Sequence, residues 1–503
     1  MAWDKERLET VARERLSGAK LILVANREPY IHVFEGRDIR CIRPASGLAT
    51  ALDPVMRACH GVWVGHGSGR ADRAVTDERD RVAVPPEDPS YLLRRVWLSK
   101  QEEQGYYYGF ANEALWPLCH VAYTRPRFDA GDWWQYQRVN RKFADAVLEE
   151  AEGEPALVFV QDYHFALLPR MLKTARSDLV VAQFWHIPWP NREVFRVCPW
   201  GDELLHGLLG NDLLGFHLQY HCNNFLNTVD RAIESKIDMD HFSVTREGHV
   251  TNVRPYPISI DPDLVLATLP PNLEREEWRA RKHLNLRDER IVIGVDRVDY
   301  TKGIPERFWA MDHLLRNHPE LKGEVTLVQI GAPSRVHIPA YRHVADELDK
   351  LAEDINWRHG HGSWRPIVFI NEHHEPWQVY TLFRMASVCV VSSLHDGMNL
   401  VAKEFVAARD DLRGALILSQ FTGSARELTD AIVINPYAVD DFGEALWTAL
   451  TMPPEEQEQR MVRMRRQVAD NNIYRWAGTL LSDAGKLVDA RYPVGDQAVG
   501  ELV

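Results

Sequence analysis

The stretch Asp396-Gly397-Met398-Asn399-Leu400-Val401-Ala402-Lys403-Glu404 follows an apolar run, Ser387-Val388-Cys389-Val390-Val391-Ser392, and leads into Phe405-Val406-Ala407-Ala408-Arg409. The apolar run reads as a buried parallel strand and residues 405–409 as a helix, joined by a tight turn that carries Gly. A strand, a turn and a helix start present unpaired backbone N–H groups, and these donors and the helix dipole both favour phosphate. Glu404 falls about one helical turn after Leu400, where a carboxylate can accept hydrogen bonds from sugar hydroxyls. A diphosphate beside a group that reads sugar hydroxyls points to a nucleotide-sugar.

The same alternation extends in both directions. Before that stretch come Ile291-Val292-Ile293-Gly294-Val295, residues 325–330 and Ile367-Val368-Phe369-Ile370; after it come Ala415-Leu416-Ile417-Leu418-Ser419 and Ala431-Ile432-Val433-Ile434. A first series holds Leu21-Ile22-Leu23-Val24-Ala25, Gly61-Val62-Trp63-Val64, Leu157-Val158-Phe159-Val160, residues 180–184 and Leu213-Leu214-Gly215-Phe216. Helical stretches at 2–16, 136–150 and 222–233 intervene, and residues 453–489 are long, polar and helical. Strands alternating with helices predict an α/β protein with doubly wound parallel sheets. The economical division is a first domain over 1–255 and a second over 256–480 with a cleft between them. Residues 481–503 form a terminal helix and tail able to pack back on the first domain.

The chain has 503 residues, more than one ordinary core needs; its 45% hydrophobic and 26% charged content are those of a soluble globular protein. The formal net charge of -13 argues against a general nucleic-acid binder but leaves room for a local cationic site. The six cysteines, at 41, 59, 119, 198, 222 and 389, form no CxxC pair and read as reduced core filler. No apolar run approaches the roughly eighteen residues of a membrane span, and residues 1–15 lack a signal core. A cytoplasmic protein without nucleic-acid or membrane partners is expected, and whether it forms a homo-oligomer stays open.

The strand at 291–295 runs into Asp296-Arg297-Val298-Asp299-Tyr300-Thr301-Lys302-Gly303. Arg297 and Lys302 lie on the loop after the strand, at the sheet edge where open α/β sheets bind ligands. A rigid guanidinium and a flexible ammonium can together grip a diphosphate, and they stabilise it more as charge builds on departure. The alternative is an ordinary charged surface loop, and proximity to 396–404 in the sheet favours the binding role.

The strings DRVDYTKGIPERF (296–308), QIGAPSR (329–335), LHDGMNLVAKEFVAARDD (394–411), ILSQFTGSARELTDAIVINPY (417–437), VQDYHFALLP (160–169) and HIPWPNREVF (186–195) together resemble trehalose-6-phosphate synthases. These are retaining glucosyltransferases of family 20 with the two-Rossmann GT-B fold. The resemblance runs from about Leu21 to the C-terminus and implies an N-terminal acceptor-binding domain and a C-terminal nucleotide-sugar domain. For the donor it implies Gly47, His186, Arg297, Lys302, Asp396, Gly397, Met398, Asn399, Leu400 and Glu404. Of these, Arg297, Lys302, His186 and Asp396 would serve the reaction most directly, with His186 under the transferred glucose. For an acceptor sugar phosphate it implies Arg27, Tyr107, Trp116, Asp162 and Arg335, the two arginines on the phosphate. Taken alone, His186 reads as a core histidine, Tyr107 and Trp116 as packing aromatics, and Asp162 as a helix cap. The mechanism implied is front-face transfer, in which the leaving phosphate takes the acceptor proton and no protein nucleophile is needed.

Neither a cofactor nor a metal is expected, the nucleotide-sugar being a substrate. Asp238-Met239-Asp240 and Asp261-Pro262-Asp263 are formal DxD strings read as capping or surface acids, and His359, His361, His373 and His374 fit no tight ligand spacing. Gly65-His66-Gly67-Ser68-Gly69 is out of register for a dinucleotide loop and reads as a flexible turn. No DxDxT phosphatase signature follows the synthase-like region, so the product would stay phosphorylated.

The first loop departs from the family pattern. Ser46-Gly47-Leu48 stands where Gly-Gly-Leu is common, a frequent second Trp is replaced around His66-Gly67, and His395 stands where Arg is frequent. Residues 28–44, from Glu28-Pro29-Tyr30 onward, also resemble glucosylglycerol-phosphate synthases. Donor chemistry is therefore read more firmly than the acceptor, with glycerol-3-phosphate the alternative to glucose-6-phosphate. A non-catalytic sugar-phosphate-binding regulator is the third reading, and intact Arg297, Lys302 and Glu404 count against it.

Overall fold

The computed structural model describes residues 3–16, 18–44, 47–335 and 337–493, and Ser46 and the tail from 494 lie outside them. The chain divides into two compact units. The first runs to Cys119 and adds Arg125–Pro257 and the segment from Tyr474; the second comprises His120–Thr124 and Ile258–Ile473. The sequence put the junction at 255/256 and the terminal segment from 481; the observed breaks are at 257/258 and 473/474.

The first unit is built on a ten-stranded sheet. Its parallel centre runs His249–Pro255, Leu213–Phe216, Val180–Phe184, Ala156–Gln161, Lys20–Ala25, Val62–His66, Tyr91–Val96. Lys236–Asp238 and Ser243–Arg246 extend one edge antiparallel, and Arg81–Val84 the other. Lys20–Ala25 and Ala156–Gln161 are adjacent although far apart in sequence, and the connections wind away from them in opposite senses. That is a topological switch point, where the loops leaving the two strands diverge and open a crevice. The hairpin Ile31–Glu35/Asp38–Ile42 stands apart from this sheet. The helix Ile473–Arg491 packs on this unit: Tyr256 donates to Asp483 at 2.9 Å and Arg491 pairs with Asp212 at 3.0 Å.

The second unit has a six-stranded, all-parallel sheet in the order Ile367–Ile370, Val325–Ala332, Arg290–Arg297, Ala386–Val391, Ala415–Ser419, Ile432–Ile434. Counted along the chain this is 3-2-1-4-5-6, the Rossmann order, with its switch point between Arg290–Arg297 and Ala386–Val391. Both faces are covered. Val292, Leu327, Val388 and Ile417 pack under Ile304–Asn317, Pro339–His359 and Val439–Thr451. Their neighbours Ile293, Val328, Cys389 and Leu416 face Pro376–Met385, Leu400–Ala408 and Pro454–Asp470. Burial on both faces is why these strands are continuous apolar runs.

Several expectations need correction. The helix after the 396–399 turn starts at Leu400, not Phe405, because Asn399 caps it by accepting from Ala402 N at 3.2 Å. Gly65 and His66 end a strand, and the turn after them is pinned: Ser68 N donates to Glu28 at 2.9 Å and Gly69 N to Asp72 at 2.6 Å. The strands Tyr91–Val96, Arg81–Val84 and His249–Pro255 were not anticipated. Tyr107, which taken alone reads as a packing aromatic, lies within a π-helix over Gln104–Leu115.

Candidate active site

In the second unit, two loops leave the switch point. After Arg290–Arg297 the chain makes an Asx turn in which Asp299 accepts from Thr301 N at 3.0 Å and Thr301 Oγ1 at 2.9 Å. It then passes Lys302 and reaches Gly303 at φ +61, where a Cβ would overlap the Ser392 carbonyl. After Ala386–Val391, Ser392 Oγ donates to Gly303 O at 2.7 Å and Leu394 N donates to Thr301 O at 2.8 Å. The two loops are thus stitched together. Lys302 Nζ reaches Asp396 Oδ2 at 2.5 Å, and Ser393 and Asn399 donate to the same oxygen at 3.3 Å.

The 396–399 turn is rigid for identifiable reasons. Asp396 N donates to Phe421 O at 3.1 Å and Ser424 N to Met398 O at 2.9 Å. Asn399 adopts φ 76, ψ 100, outside the region a non-glycine residue prefers. Beyond it the first amides of Leu400–Ala408 are the donors that every helix start leaves without an intrahelical acceptor. Burial alone would raise the Asp396 pKa, but the charge and hydrogen bond of Lys302 outweigh it and hold the carboxylate well below its usual range. Asp299 is likewise held down, its burial outweighed by Arg297, Arg335 and Lys302. The result is three cations gathered about the buried Asp299 and the partly buried Asp396, a field suited to an anionic ligand.

Arg335 follows the strand Val325–Ala332 at φ 47, with its guanidinium 3.7 Å from Asp299 and 2.5 Å from the Tyr341 hydroxyl. Glu404, half-buried on Leu400–Ala408, is pushed up to about 7 by burial. His395 has its Nδ1 2.6 Å from His120 O. Burial pushes its pKa down, so a neutral ring donates there.

In the first unit, the switch point carries Asn26-Arg27 after one strand and Asp162 after the other. The Arg27 side chain is exposed, while its carbonyl accepts from Trp63 Nε1 at 3.1 Å. Asp162 has φ 73, ψ 174, a conformation that costs a non-glycine residue about 1–3 kcal/mol. Its Oδ1 accepts from Tyr163 N at 2.8 Å and His186 N at 3.1 Å, so it does more than cap a turn. Tyr107 stacks on His164 at 5.6 Å, and Trp116 lies 6.1 Å from Tyr163. The π-helix that carries Tyr107 is supported by Asn112, whose Nδ2 donates to Tyr107 O at 2.7 Å and whose Oδ1 accepts from Tyr163 at 2.9 Å. Gly47 opens the helix Gly47–Cys59.

Arg297, Lys302, Asp396, Gly397, Met398, Asn399, Leu400, Glu404 and Arg335 therefore share the second unit, and Gly47, Arg27, Tyr107, Trp116, Asp162 and His186 the first. Sequence reasoning missed Asp299, Ser393 and Gln161, which hold these residues in place. Asp299 left a signal, the Asp-x-Thr spacing of an Asx turn. Residues 28–30 prove structural: Glu28 pairs with the buried Arg95 at 2.8 Å, Arg95 reaches Asp72 at 2.9 Å, and Tyr30 donates to Asp53 at 3.2 Å.

Asp238 accepts from the amides of Asp240 and His241, and Asp261 caps Pro262–Thr268. Among the described residues no group of three or more His, Cys, Asp or Glu could hold a metal ion, and no helix is long and apolar enough to cross a membrane.

Residues 19–486 match the model of glycosyltransferase family 20. A trehalose-6-phosphate synthase of Mycolicibacterium vanbaalenii is 37% identical over 481 residues, covering 93% of this chain and 96% of that protein. An E. coli structure bound with UDP-2-fluoro glucose superposes with a TM-score of 0.82 at 32% identity, covering 93% of this chain and 99% of the other. A Burkholderia xenovorans α,α-trehalose-phosphate synthase in complex with glucose-6-phosphate superposes at 0.81 and 30% identity, covering 93% and 100%. The fold is GT-B, and the chain belongs to glycosyltransferase family 20.

Proposed function

We propose that this glycosyltransferase moves glucose from UDP-glucose to glucose-6-phosphate with retention, giving α,α-trehalose-6-phosphate and UDP. The observation that carries the reading is the stitched switch point of the second unit, where Arg297 ends one strand and Lys302 is held by Asp396 just ahead of the helix Leu400–Ala408. Homologues that bind a UDP-sugar and glucose-6-phosphate support it. In the step, the C1–O bond to UDP breaks and the bond from C1 to the acceptor oxygen forms on the same face. The acceptor hydroxyl's proton passes to the departing phosphate oxygen. Arg297, Lys302 and the helix amides take up the charge that grows on that phosphate.

Asp396 holds Lys302 in place and, with Gly397, Met398 and Asn399, meets the donor glucose. His186 lies under that glucose, Gly47 approaches it through its backbone, and Glu404 reads the ribose. Arg27 and Arg335 bind the acceptor phosphate, Tyr107 and Asp162 its hydroxyls, and Trp116 supplies an apolar wall. Incubation with UDP-glucose and either glucose-6-phosphate or glycerol-3-phosphate, with assay of released UDP, tests the acceptor. Release with glycerol-3-phosphate alone would move the assignment to a glucosylglycerol-phosphate synthase, and no release with any acceptor would leave a regulator.

Arg335→Ala is expected to raise KM for the acceptor about tenfold or more, the scale of a charged hydrogen bond, with donor KM little changed. Steady-state kinetics with each substrate varied separately decide this, and the opposite split would reassign Arg335 to the donor.

Glu404 gives a pH prediction. Its ionised form accepts hydroxyl hydrogen bonds through both oxygens and more strongly than the acid does, so kcat/KM for the donor should rise as pH passes through about 7 and flatten above it. Its folded pKa lies above the ordinary glutamate value of 4.5. Its contribution to stability is therefore full below about 4.5 and is lost as pH rises through about 7. Glu404→Gln should abolish the rise in kcat/KM and remove that slope from thermal unfolding measured against pH.

A further inference from the structure

His186 is held at three polar atoms. Its N–H donates to Asp162 Oδ1 at 3.1 Å, its carbonyl accepts from His217 Nε2 at 2.9 Å, and its ring Nε2 lies 3.0 Å from Gln161 Oε1. Phe184 and Trp476, with ring centroids 4.6 and 6.3 Å away, close the ring in. Gln161 is the last residue of Ala156–Gln161 and is 1% exposed. Burial pushes the imidazole down to about 3, with His164 adding to the effect, so the ring is neutral. A neutral imidazole carries one N–H and one lone pair, and the group facing one nitrogen decides which is which.

Gln161 is an odd choice on stability grounds. Its Nε2 is buried with no hydrogen-bond partner among the described residues, and leaving such a donor unpaired is destabilising. A leucine would fill the space without that penalty.

We propose that Gln161 is a positioning residue for the transfer: its Oε1 fixes His186 as the Nε2–H tautomer, so that Nδ1 offers a lone pair to a hydroxyl of the transferred glucose. The inference rests on the reading that His186 lies beneath that glucose. A second consequence is electrostatic. The sugar develops positive charge as the leaving group departs, and a carboxamide, unlike a carboxylate, does not draw a second proton onto the ring. The titratable groups around the ring are His217, whose ring is 5.9 Å away, His164, and Asp162 at the main chain.

The test combines histidine-selective 15N NMR of the full chain with kinetics, using His186→Gln to identify the His186 signals. The wild type should show Nε2 protonated and Nδ1 not. Gln161→Leu should show the two tautomers averaged, a kcat about tenfold lower or more, and an almost unchanged Tm. Gln161→Glu puts one more proton into the pair at low pH, which either charges the ring or reverses its tautomer. Its kcat should fall at low pH and recover as pH rises, a limb the wild type lacks at this group. A wild-type spectrum with the proton on Nδ1, or Gln161→Leu turning over at the wild-type rate, overturns the proposal. Absence of UDP release by the wild type with any acceptor would instead sink the transfer reading and the catalytic half of this one; the spectrum still decides the tautomer.

Discussion

Lys302→Ala is expected to lower kcat by about two to three orders of magnitude, the scale for removing one preorganised donor from developing charge. The geometry explains why so much should rest on one ammonium. Lys302 is 8% exposed, so its charge acts with little screening by water. Asp396, at 2.5 Å, fixes its direction, and Ser393 and Asn399 fix Asp396 in turn. Charge on the leaving phosphate is larger in the transition state than in the ground state, so the loss should appear in kcat more than in KM.

The same substitution strips a buried carboxylate of its partner, which by itself costs about 3–5 kcal/mol of stability. Lys302→Met combined with Asp396→Asn separates the two effects. The double variant should regain thermal stability, because no lone charge is left, while kcat stays low. Unchanged kcat in Lys302→Ala would remove the leaving-group role from this residue.

The second large effect is on stability. Arg307 is 0% exposed beneath the switch point; it pairs with Asp296 at 2.9 Å, donates to Ser392 Oγ at 2.9 Å and also donates to Gln329. Burial keeps the Asp296 pKa raised even with Arg307 beside it. Arg307→Met should therefore destabilise the protein by about 3–5 kcal/mol, read from urea unfolding. Adding Asp296→Asn should recover much of that loss. The arginine also steadies Ser392, whose hydroxyl donates to Gly303 O, so the single variant should lose activity below its unfolding range too. A midpoint near that of the wild type would show that solvent reaches the pair.

What the sequence disclosed follows from what each residue must do. The strands of the second sheet are buried on both faces, so Ile291-Val292-Ile293 and Val388-Cys389-Val390-Val391 read directly as strands, and the loops after them followed. Leu400 was missed as a helix start because its cap, Asn399, sits at positive φ, which the residue type alone does not announce. Tyr91–Val96 was missed because Arg94 and Arg95 interrupt its apolar pattern; Arg95 is buried only because Glu28 and Asp72 pair with it from elsewhere in the chain. The π-helix at 104–115 has no 3.6-residue apolar repeat to betray it, and its support from Asn112 and Tyr163 is likewise non-local. The cations of the candidate site were legible as residues. What was not legible is how they are aimed: Asp299 faces the Arg335 guanidinium at 3.7 Å, and Ser393 and Asn399 donate to the Asp396 carboxylate that holds Lys302.

The most direct test of the account is the product itself. Protein incubated with UDP-glucose and glucose-6-phosphate should release UDP and one new disaccharide phosphate, and proton NMR should show both anomeric centres α. That result fits transfer with retention through the switch-point cations. A β linkage at the transferred glucose, or UDP release without a glycosylated sugar phosphate, would contradict it.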